Sequence, residues 1–129
     1  VEKIYGSRHD DTIITGSGAT RIYGDRGNDT LIDGALIEFL YGGSGADTFV
    51  ISAGDGGRDR VMDFEIGTDQ IDLSAWGVTS LTELAFVERT DSAGPQGDLY
   101  VNYSNESIWL EGFDANDIGS FTADDFIFA

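Results

Sequence analysis

Glycines, aspartates and an asparagine crowd the stretch 23–33, YGDRGNDTLID, directly ahead of a short apolar run. Carboxylates in such number must be solvated or neutralised by cations, and glycines suit tight corners of the backbone. A plain turn needs one glycine and one aspartate, so this density exceeds what a turn requires. What this density means depends on whether the stretch recurs along the chain.

The stretch recurs with a period of nine residues. The successive blocks are GSRHDDTII (6–14), TGSGATRIY (15–23), GDRGNDTLI (24–32), DGALIEFLY (33–41) and GGSGADTFV (42–50). Position 8 is a large apolar residue in every block, and position 6 is aspartate in three of them. Positions 7 to 9 predict a short strand whose middle side chain points inward, and the rest of the block turns the corner. Two blocks thus make one coil of 18 residues, and stacked coils bury apolar side chains that one block cannot.

These blocks resemble the RTX (repeats-in-toxin) family, whose nonapeptide is G-G-x-G-x-D-x-U-x, with U a large apolar residue. GGSGADTFV matches it at every defined position, and GDRGNDTLI departs from it only at position 2. RDRVMDFEIGTDQIDLS resembles the region after the roll in serralysin-type proteases and alginate epimerases. The resemblance implies an all-β fold, a right-handed parallel β-roll with Ca²⁺ between successive loops on each edge. We expect the roll over 1–50 and an antiparallel β cap with a secretion-signal region over 51–129, packed as one unit.

Alternate loops must lie on opposite edges of such a roll. Loops 6–11, 24–29 and 42–47 share the first edge, and all three have aspartate at position 6. Loop 6–11 is the weakest of the three, because Ser7 and His9 replace glycines.

The second edge, loops 15–20 and 33–38, is chemically poorer. Thr20 brings no charge at position 6, and Leu36 and Ile37 resist a tight loop. Because Ca²⁺ prefers charged oxygens, we expect occupied sites on the first edge and poor or empty sites on the second.

In RTX rolls, positions 1, 3 and 5 of one loop and positions 2, 4 and 6 of another converge on one ion. By this resemblance the candidate ligands come from the three first-edge loops and from an aspartate beyond them. They are Gly6, Arg8, Asp10 and Asp11; Gly24, Asp25, Arg26, Gly27, Asn28 and Asp29; Gly42, Gly43, Ser44, Gly45, Ala46 and Asp47; and Asp59 or Asp63. Two sandwiched sites and one further site beyond the last loop would follow.

Composition narrows the class of protein. The 129 residues suit one domain, and 24 acidic against 7 basic residues leave a net charge of -17. That charge excludes binding to nucleic acid through phosphate contacts and argues against an anionic membrane partner. No apolar run approaches the length of a membrane span.

Catalytic residues are scarce. His9 is the only histidine, so the chain offers few residues that could form a zinc site or a Ser-His-Asp triad. Acidic pairs that could mimic a glycosidase dyad are better explained as ligands or solvated charges. We therefore expect a non-catalytic module, excised from a larger secreted enzyme, toxin or adhesin.

The resemblance implies a Ca²⁺-binding module of a secreted, extracellular protein of a Gram-negative bacterium. It would fold on binding Ca²⁺ outside the cell, support the stability of a larger protein, and have the type I secretion machinery as a partner. The terminal DDFIFA resembles the end of such exported proteins, or forms a final edge strand.

Two alternatives remain open at this level. Tyr5, Tyr23 and Tyr41 recur every 18 residues, and this outward ladder either stacks the coils or binds a polysaccharide, as in a surface-binding module of a carbohydrate-active enzyme or adhesin. The other alternative is an independent hydrolase.

Overall fold

The computed structural model of the chain describes residues 2–15, 20–34, 38–54, 59–89, 98–113 and 115–129. The strands are β1 Glu2–Tyr5, β2 Thr12–Ile14, β3 Thr20–Tyr23, β4 Thr30–Ile32, β5 Glu38–Tyr41, β6 Thr48–Val50, β7 Arg60–Val61, β8 Gln70–Asp72, β9 Ala85–Arg89, β10 Asp98–Tyr103, β11 Glu106–Glu111 and β12 Phe126–Ile127. Short 3₁₀ helices span Ser74–Trp76, Leu81–Glu83, Ala115–Ser120 and Ala123–Asp125. In the described ranges no helix is long and apolar enough to cross a membrane.

The repeat folds as a parallel β-roll, as predicted. Strands β1, β3 and β5 pair in parallel on one side, with Tyr5 opposite Tyr23 and Tyr23 opposite Tyr41. Strands β2, β4 and β6 pair in parallel on the other side, with Ile13 opposite Leu31. Each partner lies 18 residues away, so two nine-residue blocks make one coil.

The core of the roll consists of the position 8 side chains, which alternate with outward neighbours along each strand. Ile22, Leu31, Leu40 and Phe49 are all 0% exposed. Ile13, in the first coil, is only partly buried because its strand lies at the edge of the sheet. The two sheets therefore meet through one apolar residue per block.

Removal of one of these side chains should weaken the whole roll. We expect Leu31→Ala to lower the free energy of unfolding by about 2–5 kcal/mol. Leu31 is fully buried, so the substitution would leave a cavity between the coils. Thr30→Ala, on the outer face of the same strand, should cost less than about 1 kcal/mol. Urea denaturation of both variants at saturating Ca²⁺ measures the difference. Equal losses would show that the stack tolerates a void.

Parallel pairing continues beyond the repeats. Strand β7 stacks on β5, β8 stacks on β6, and β12 stacks on β8. The strand pairing thus has no boundary at residue 50, where the nonapeptide pattern stops. The irregular segments after it supply a further coil that covers the open end of the roll.

The cap strands extend one sheet of the roll. Strands β9, β10 and β11 pair antiparallel, and β11 then pairs in parallel with β7. The result is a seven-stranded sheet in the order β1-β3-β5-β7-β11-β10-β9, facing a five-stranded sheet in the order β12-β8-β6-β4-β2. The antiparallel arrangement was predicted, whereas its direct continuation of the roll was not.

The C-terminal segment packs as an edge strand. Phe126 is 4% exposed and pairs with Ile71 of β8, and the backbone N–H of Ala129 donates to Val78 O at 2.9 Å. A secretion role for DDFIFA stays a prediction.

Candidate metal centre

Two of the first-edge loops, 24–29 and 42–47, obtain their shape from residues with positive φ at positions 2 and 4. Gly43 and Gly45 have φ of 87° and 107°, and Gly27 has 101°. Asp25 occupies the equivalent position 2 with φ of 77°, a conformation that aspartate tolerates better than most residues. Such backbones direct successive carbonyls in alternate directions, which suits an ion bound between neighbouring loops.

Loop 6–11 has a different backbone. Positive φ among the described non-glycine residues occurs only at Asp25 and Ser104, so Ser7 and His9 do not adopt it. The Ser7 hydroxyl instead accepts from the His9 N–H at 3.1 Å and donates to the Asp11 carboxylate at 2.9 Å. The carboxylate is thus partly satisfied within its own loop, in line with the expected weakness of this loop.

The position 6 carboxylates form a ladder along the first edge, which we call the aspartate ladder (Asp11, Asp29, Asp47 and Asp69). Oδ1 of Asp29 accepts from the Asp11 N–H at 2.8 Å. Oδ1 of Asp47 accepts from the Asp29 N–H at 2.9 Å, and Oδ1 of Asp69 accepts from the Asp47 N–H at 2.9 Å. Each coil is therefore tied to the next by one carboxylate oxygen.

The second oxygen of the central carboxylates has no partner. Asp29 and Asp47 are each 1% exposed, and their Oδ2 atoms form no hydrogen bond. A Cβ placed on Gly24 would lie 2.5 Å from Asp29 Oδ2, so glycine at position 1 makes room for this oxygen. An uncompensated buried carboxylate is costly. A cation beside these oxygens removes that cost, and the chemistry of the site thus fits Ca²⁺.

Burial, together with repulsion from nearby carboxylates, raises the pKa of the three buried members of the ladder, Asp29, Asp47 and Asp69. Desolvation, aided by the charges of Asp69, Asp29 and Asp63, raises the pKa of Asp47 to about 7. Desolvation likewise raises the pKa of Asp69 to about 6 and raises that of Asp29. Without a cation, the folded ladder therefore favours protons.

Backbone and amide groups complete the edge. Asn28 Oδ1 accepts from the Ala46 N–H at 2.8 Å, and Asp10 Oδ1 accepts from the Asn28 N–H at 2.8 Å. The Ser44 N–H donates to Asp25 O at 3.0 Å. In the described segments no three carboxylate or imidazole side chains form a ready metal cage. Loop carbonyls or water would have to supply the remaining ligands.

Asp63 lies at the first edge, directly beyond the last loop. Its Oδ1 accepts from the Gly42 N–H at 2.8 Å, and its Oδ2 accepts from the Gly43 N–H at 2.9 Å. This places it at the position considered for a further site. Asp59 does not join it. Because Asp59 precedes β7, which stacks on β5, it lies at the second edge and accepts from the Glu38 N–H at 2.9 Å.

Asp69 was not among the ligands predicted from the sequence. It continues the ladder 22 residues after Asp47, whereas the regular step is 18. The signal was present, because Asp69 precedes Ile71 as Asp47 precedes Phe49, and these apolar residues pair in register. A search for the strand motif without the fixed period would have found it.

The second edge contains an unexpected buried cluster. Asp33, Glu38 and Asp59 are 4%, 0% and 2% exposed. Asp33 Oδ2 and Glu38 Oε2 have no hydrogen-bond partner, and Thr15 Oγ1 donates to Glu38 Oε1 at 3.2 Å. Desolvation, then hydrogen bonds with the Asp33 and Glu38 side chains, raise the pKa of Asp59 to about 10.

This cluster lies at the second edge, for which the sequence predicted poor or empty metal sites. Residues 16–19 and 35–37, including Leu36 and Ile37, lie outside the described residues. Three buried carboxylates in contact require shared protons or a cation. The aspartate in position 1 of loop 33–38, where the repeat has glycine, provides the third carboxylate.

Comparison with known proteins agrees with this architecture. The family model of the peptidase M10 serralysin C-terminal region matches residues 2–127. The AlgE6R3 subunit of the Azotobacter vinelandii mannuronan C5-epimerase is 31% identical, with a TM-score of 0.79, and the match covers 99% of this chain and 78% of that one. The AlgE6R2 subunit of the same enzyme is 29% identical, with a TM-score of 0.67 and coverage of 98% and 92%.

A more distant similarity concerns the fold alone. The extracellular lipase LipA of Serratia marcescens is 23% identical, with a TM-score of 0.51, and the match covers 98% of this chain but 21% of the lipase. No curated protein matches the chain. The nonapeptide roll, its continuation through β7 and β8, and a family match over nearly the full length together show that the chain belongs to the serralysin C-terminal family of RTX-type β-roll modules.

Proposed function

We propose that this chain is a Ca²⁺-binding, non-catalytic module that completes its folding when Ca²⁺ enters the first edge. The observation that carries the proposal is the pair of buried, unpartnered Oδ2 atoms of Asp29 and Asp47, stacked one coil apart. Both lie beside loops whose positive-φ residues expose backbone carbonyls. A hard dication that prefers oxygen is the ligand that this set suits best.

The residues in this proposal have distinct roles. Carboxylates of the aspartate ladder and Asp63 supply charge, and carbonyls of loops 24–29 and 42–47 supply neutral oxygens. When bound, Ca²⁺ would screen the repulsion between successive coils, so that its binding free energy adds to the folding free energy. The Asp33–Glu38–Asp59 cluster also contains buried unpartnered oxygens. We include it as an additional cation site that would need further oxygen ligands, because its carboxylates alone do not form a complete cage.

A role within a larger secreted protein follows from the same chemistry. The matched family is the C-terminal region of a peptidase, and one structural relative is an extracellular lipase. A module that draws its stability from Ca²⁺ would be only weakly stable where Ca²⁺ is scarce and would complete its folding outside the cell. Such behaviour suits passage through a type I secretion channel from a Gram-negative cell.

Calcium binding to the purified chain tests the proposal directly. Isothermal titration should show Ca²⁺ binding that Mg²⁺ does not reproduce, because Mg²⁺ retains its waters and demands a stricter geometry. Asp47→Asn should weaken binding by about tenfold or more, since it removes a charged ligand shared by neighbouring coils. Glu38→Gln should remove binding from the second edge only.

A matched neutralisation outside both edges serves as the control. Glu88→Gln, in strand β9, removes the same charge and should leave Ca²⁺ affinity within about twofold. Equal weakening by Glu88→Gln and Asp47→Asn would attribute binding to the net charge of -17, and would contradict a site at the ladder. Absence of Ca²⁺ binding would overturn the proposed function.

A further inference from the structure

Strand β7 joins the antiparallel cap strands to the roll. In the part of the chain that the structure describes, the seven-stranded sheet passes from β5 to β7 and from β7 to β11. Val61 pairs with Leu40 of the roll on one side and with Leu110 of the cap on the other. A strand of two residues has few backbone hydrogen bonds of its own, so its position depends on the groups that flank it.

Asp59, directly before β7, contacts both neighbours of this strand. Its backbone carbonyl oxygen accepts from the Trp109 N–H of β11 at 3.0 Å. Its Oδ1 accepts from the Glu38 N–H of β5 at 2.9 Å. One residue, 2% exposed, therefore binds the roll through its side chain and the cap through its backbone. A displacement of Asp59 would break both contacts together.

The carboxylates around Asp59 oppose this position. Its carboxyl group lies within hydrogen-bond distance of the Asp33 and Glu38 side chains, and Asp33 Oδ2 and Glu38 Oε2 have no hydrogen-bond partner. Like charges in contact repel strongly when they are buried, because water does not screen them. Without a cation, the cluster can stay together only by bearing this repulsion or by taking up a proton, and both cost free energy at neutral pH.

Asp59 is the member of the cluster that is least firmly held. The Asp33 N–H donates to Val50 O at 3.1 Å, and Asp33 Oδ1 accepts from the Ser52 N–H at 2.8 Å. Glu38 begins β5, which pairs with β3 along its whole length. These two carboxylates thus belong to a stacked coil of the roll. Asp59 adjoins a strand of only two residues, so repulsion would displace Asp59 and with it β7.

We propose that the Asp33–Glu38–Asp59 cluster, when it holds a cation, fastens the antiparallel cap to the roll. The inference rests on the proposed function, which takes this cluster as an additional cation site. In the loaded cluster Asp59 stays beside Glu38, and β11 pairs with β7. In the empty cluster Asp59 moves outward, and the cap strands β9 to β11 loosen. The two edges thus have separate tasks, because the aspartate ladder ties coil to coil and the cluster ties cap to roll.

Amide hydrogen exchange followed by NMR at constant pH reports the two edges separately in one sample. The Trp109 N–H, which donates to Asp59 O, reports attachment of the cap. The Asp29 N–H, which donates to Asp47 Oδ1, reports the first-edge ladder. In chelator we expect the Trp109 amide to exchange at least about tenfold faster than at saturating Ca²⁺, because the cap then opens more often.

A matched pair of substitutions distinguishes the edges. In Asp59→Asn the side-chain oxygen can still accept from the Glu38 N–H, and the new amide group can donate to one of the unpartnered oxygens. Since one charge of the cluster is gone, the Trp109 amide of this variant should be protected in chelator, within about threefold of the Ca²⁺-loaded unaltered chain. Asp47→Asn is the same chemical change at the first edge and should leave protection of the Trp109 amide dependent on Ca²⁺.

Three results would contradict the inference. In chelator, Asp59→Asn could leave Trp109 exchange as fast as in the unaltered chain or make it faster, and Asp59 would then be a structural contact only. Asp47→Asn could remove the Ca²⁺ dependence at Trp109 as Asp59→Asn does. Trp109 exchange could also be equal with and without Ca²⁺ in a chain that binds Ca²⁺ by calorimetry, which would leave the proposed function standing. A chain that binds no Ca²⁺ would overturn both.

Discussion

Without Ca²⁺, the chain is expected to be more stable at about pH 5.5 than at about pH 8, by more than about 5 °C in Tm. The cause is the raised pKa of Asp47, about 7, and of Asp69, about 6, against an ordinary value of 3.8. A carboxyl whose pKa is raised by folding binds its proton more tightly in the folded state. Its contribution is complete below pH 3.8 and is lost as the pH rises through the folded pKa. Asp59, with a pKa of about 10, continues this loss to alkaline pH.

Calcium should reverse the direction of this dependence. Ligands must be deprotonated to bind Ca²⁺, so saturating Ca²⁺ stabilises the chain more at about pH 8 than at about pH 5.5. Thermal unfolding followed by circular dichroism, with chelator or with Ca²⁺ at both pH values, gives the four Tm values needed. Precipitation would interfere near the pI of about 4.1. Both pH values lie above it. A Ca²⁺-free chain that is equally stable at both pH values would show that folding does not raise the pKa of Asp47 and Asp69.

The largest effect of a single substitution is expected at Gly43. Its φ is 87°, and an added Cβ would overlap the backbone carbonyl oxygen of Asp25 in the neighbouring loop. Both the left-handed backbone and the contact between coils oppose a side chain, so Gly43→Ala should cost about 3 kcal/mol or more. Gly45→Ala should behave alike, because its Cβ would overlap Gly27 O at φ of 107°. Urea denaturation at saturating Ca²⁺ gives the free energy of unfolding.

A substitution at Gly54 separates the cost of the left-handed backbone from the cost of the contact between coils. Its φ is 76°, but an added Cβ would meet no atom within 4 Å. Gly54→Ala therefore carries the backbone cost alone, about 1–2 kcal/mol. The excess loss in Gly43→Ala measures how closely the loops approach each other. Equal losses in the two variants would mean that the loops separate easily, which would argue against an ion held between them.

The regular part of the fold could be predicted because it is local. The nine-residue period places Ile22, Leu31, Leu40 and Phe49 inside, and it aligns partners 18 residues apart. A strand of three residues has only two faces, so the apolar position determines which side faces the core. Position 6 aspartates then recur at one edge without further information. This much required only the spacing of residues within one block.

The irregular part depended on which strands stack after residue 50. The sequence placed Asp59 and Asp63 as alternatives for one site, but β7 stacks on β5 and separates them to opposite edges. Asp69 joined the ladder because β8 stacks on β6 after a longer loop. Loops of unequal length break the period, so contacts across the core, and not spacing, decide these positions.

The acidic edge and the outer face of the seven-stranded sheet differ in the same way. The first-edge loops that contain Asp29 and Asp47 could be recognised from one repeated motif. The alignment of Arg21, Phe39, Arg60 and Trp109 on the outer face could not, because these residues come from two repeats, an irregular strand and the cap. Only the parallel pairing of β11 with β7 brings Trp109 beside Arg60. The sequence by itself thus determined the coil and its acidic edge, whereas tertiary pairing of distant strands decided how the coil is closed and which side chains meet on its outer face.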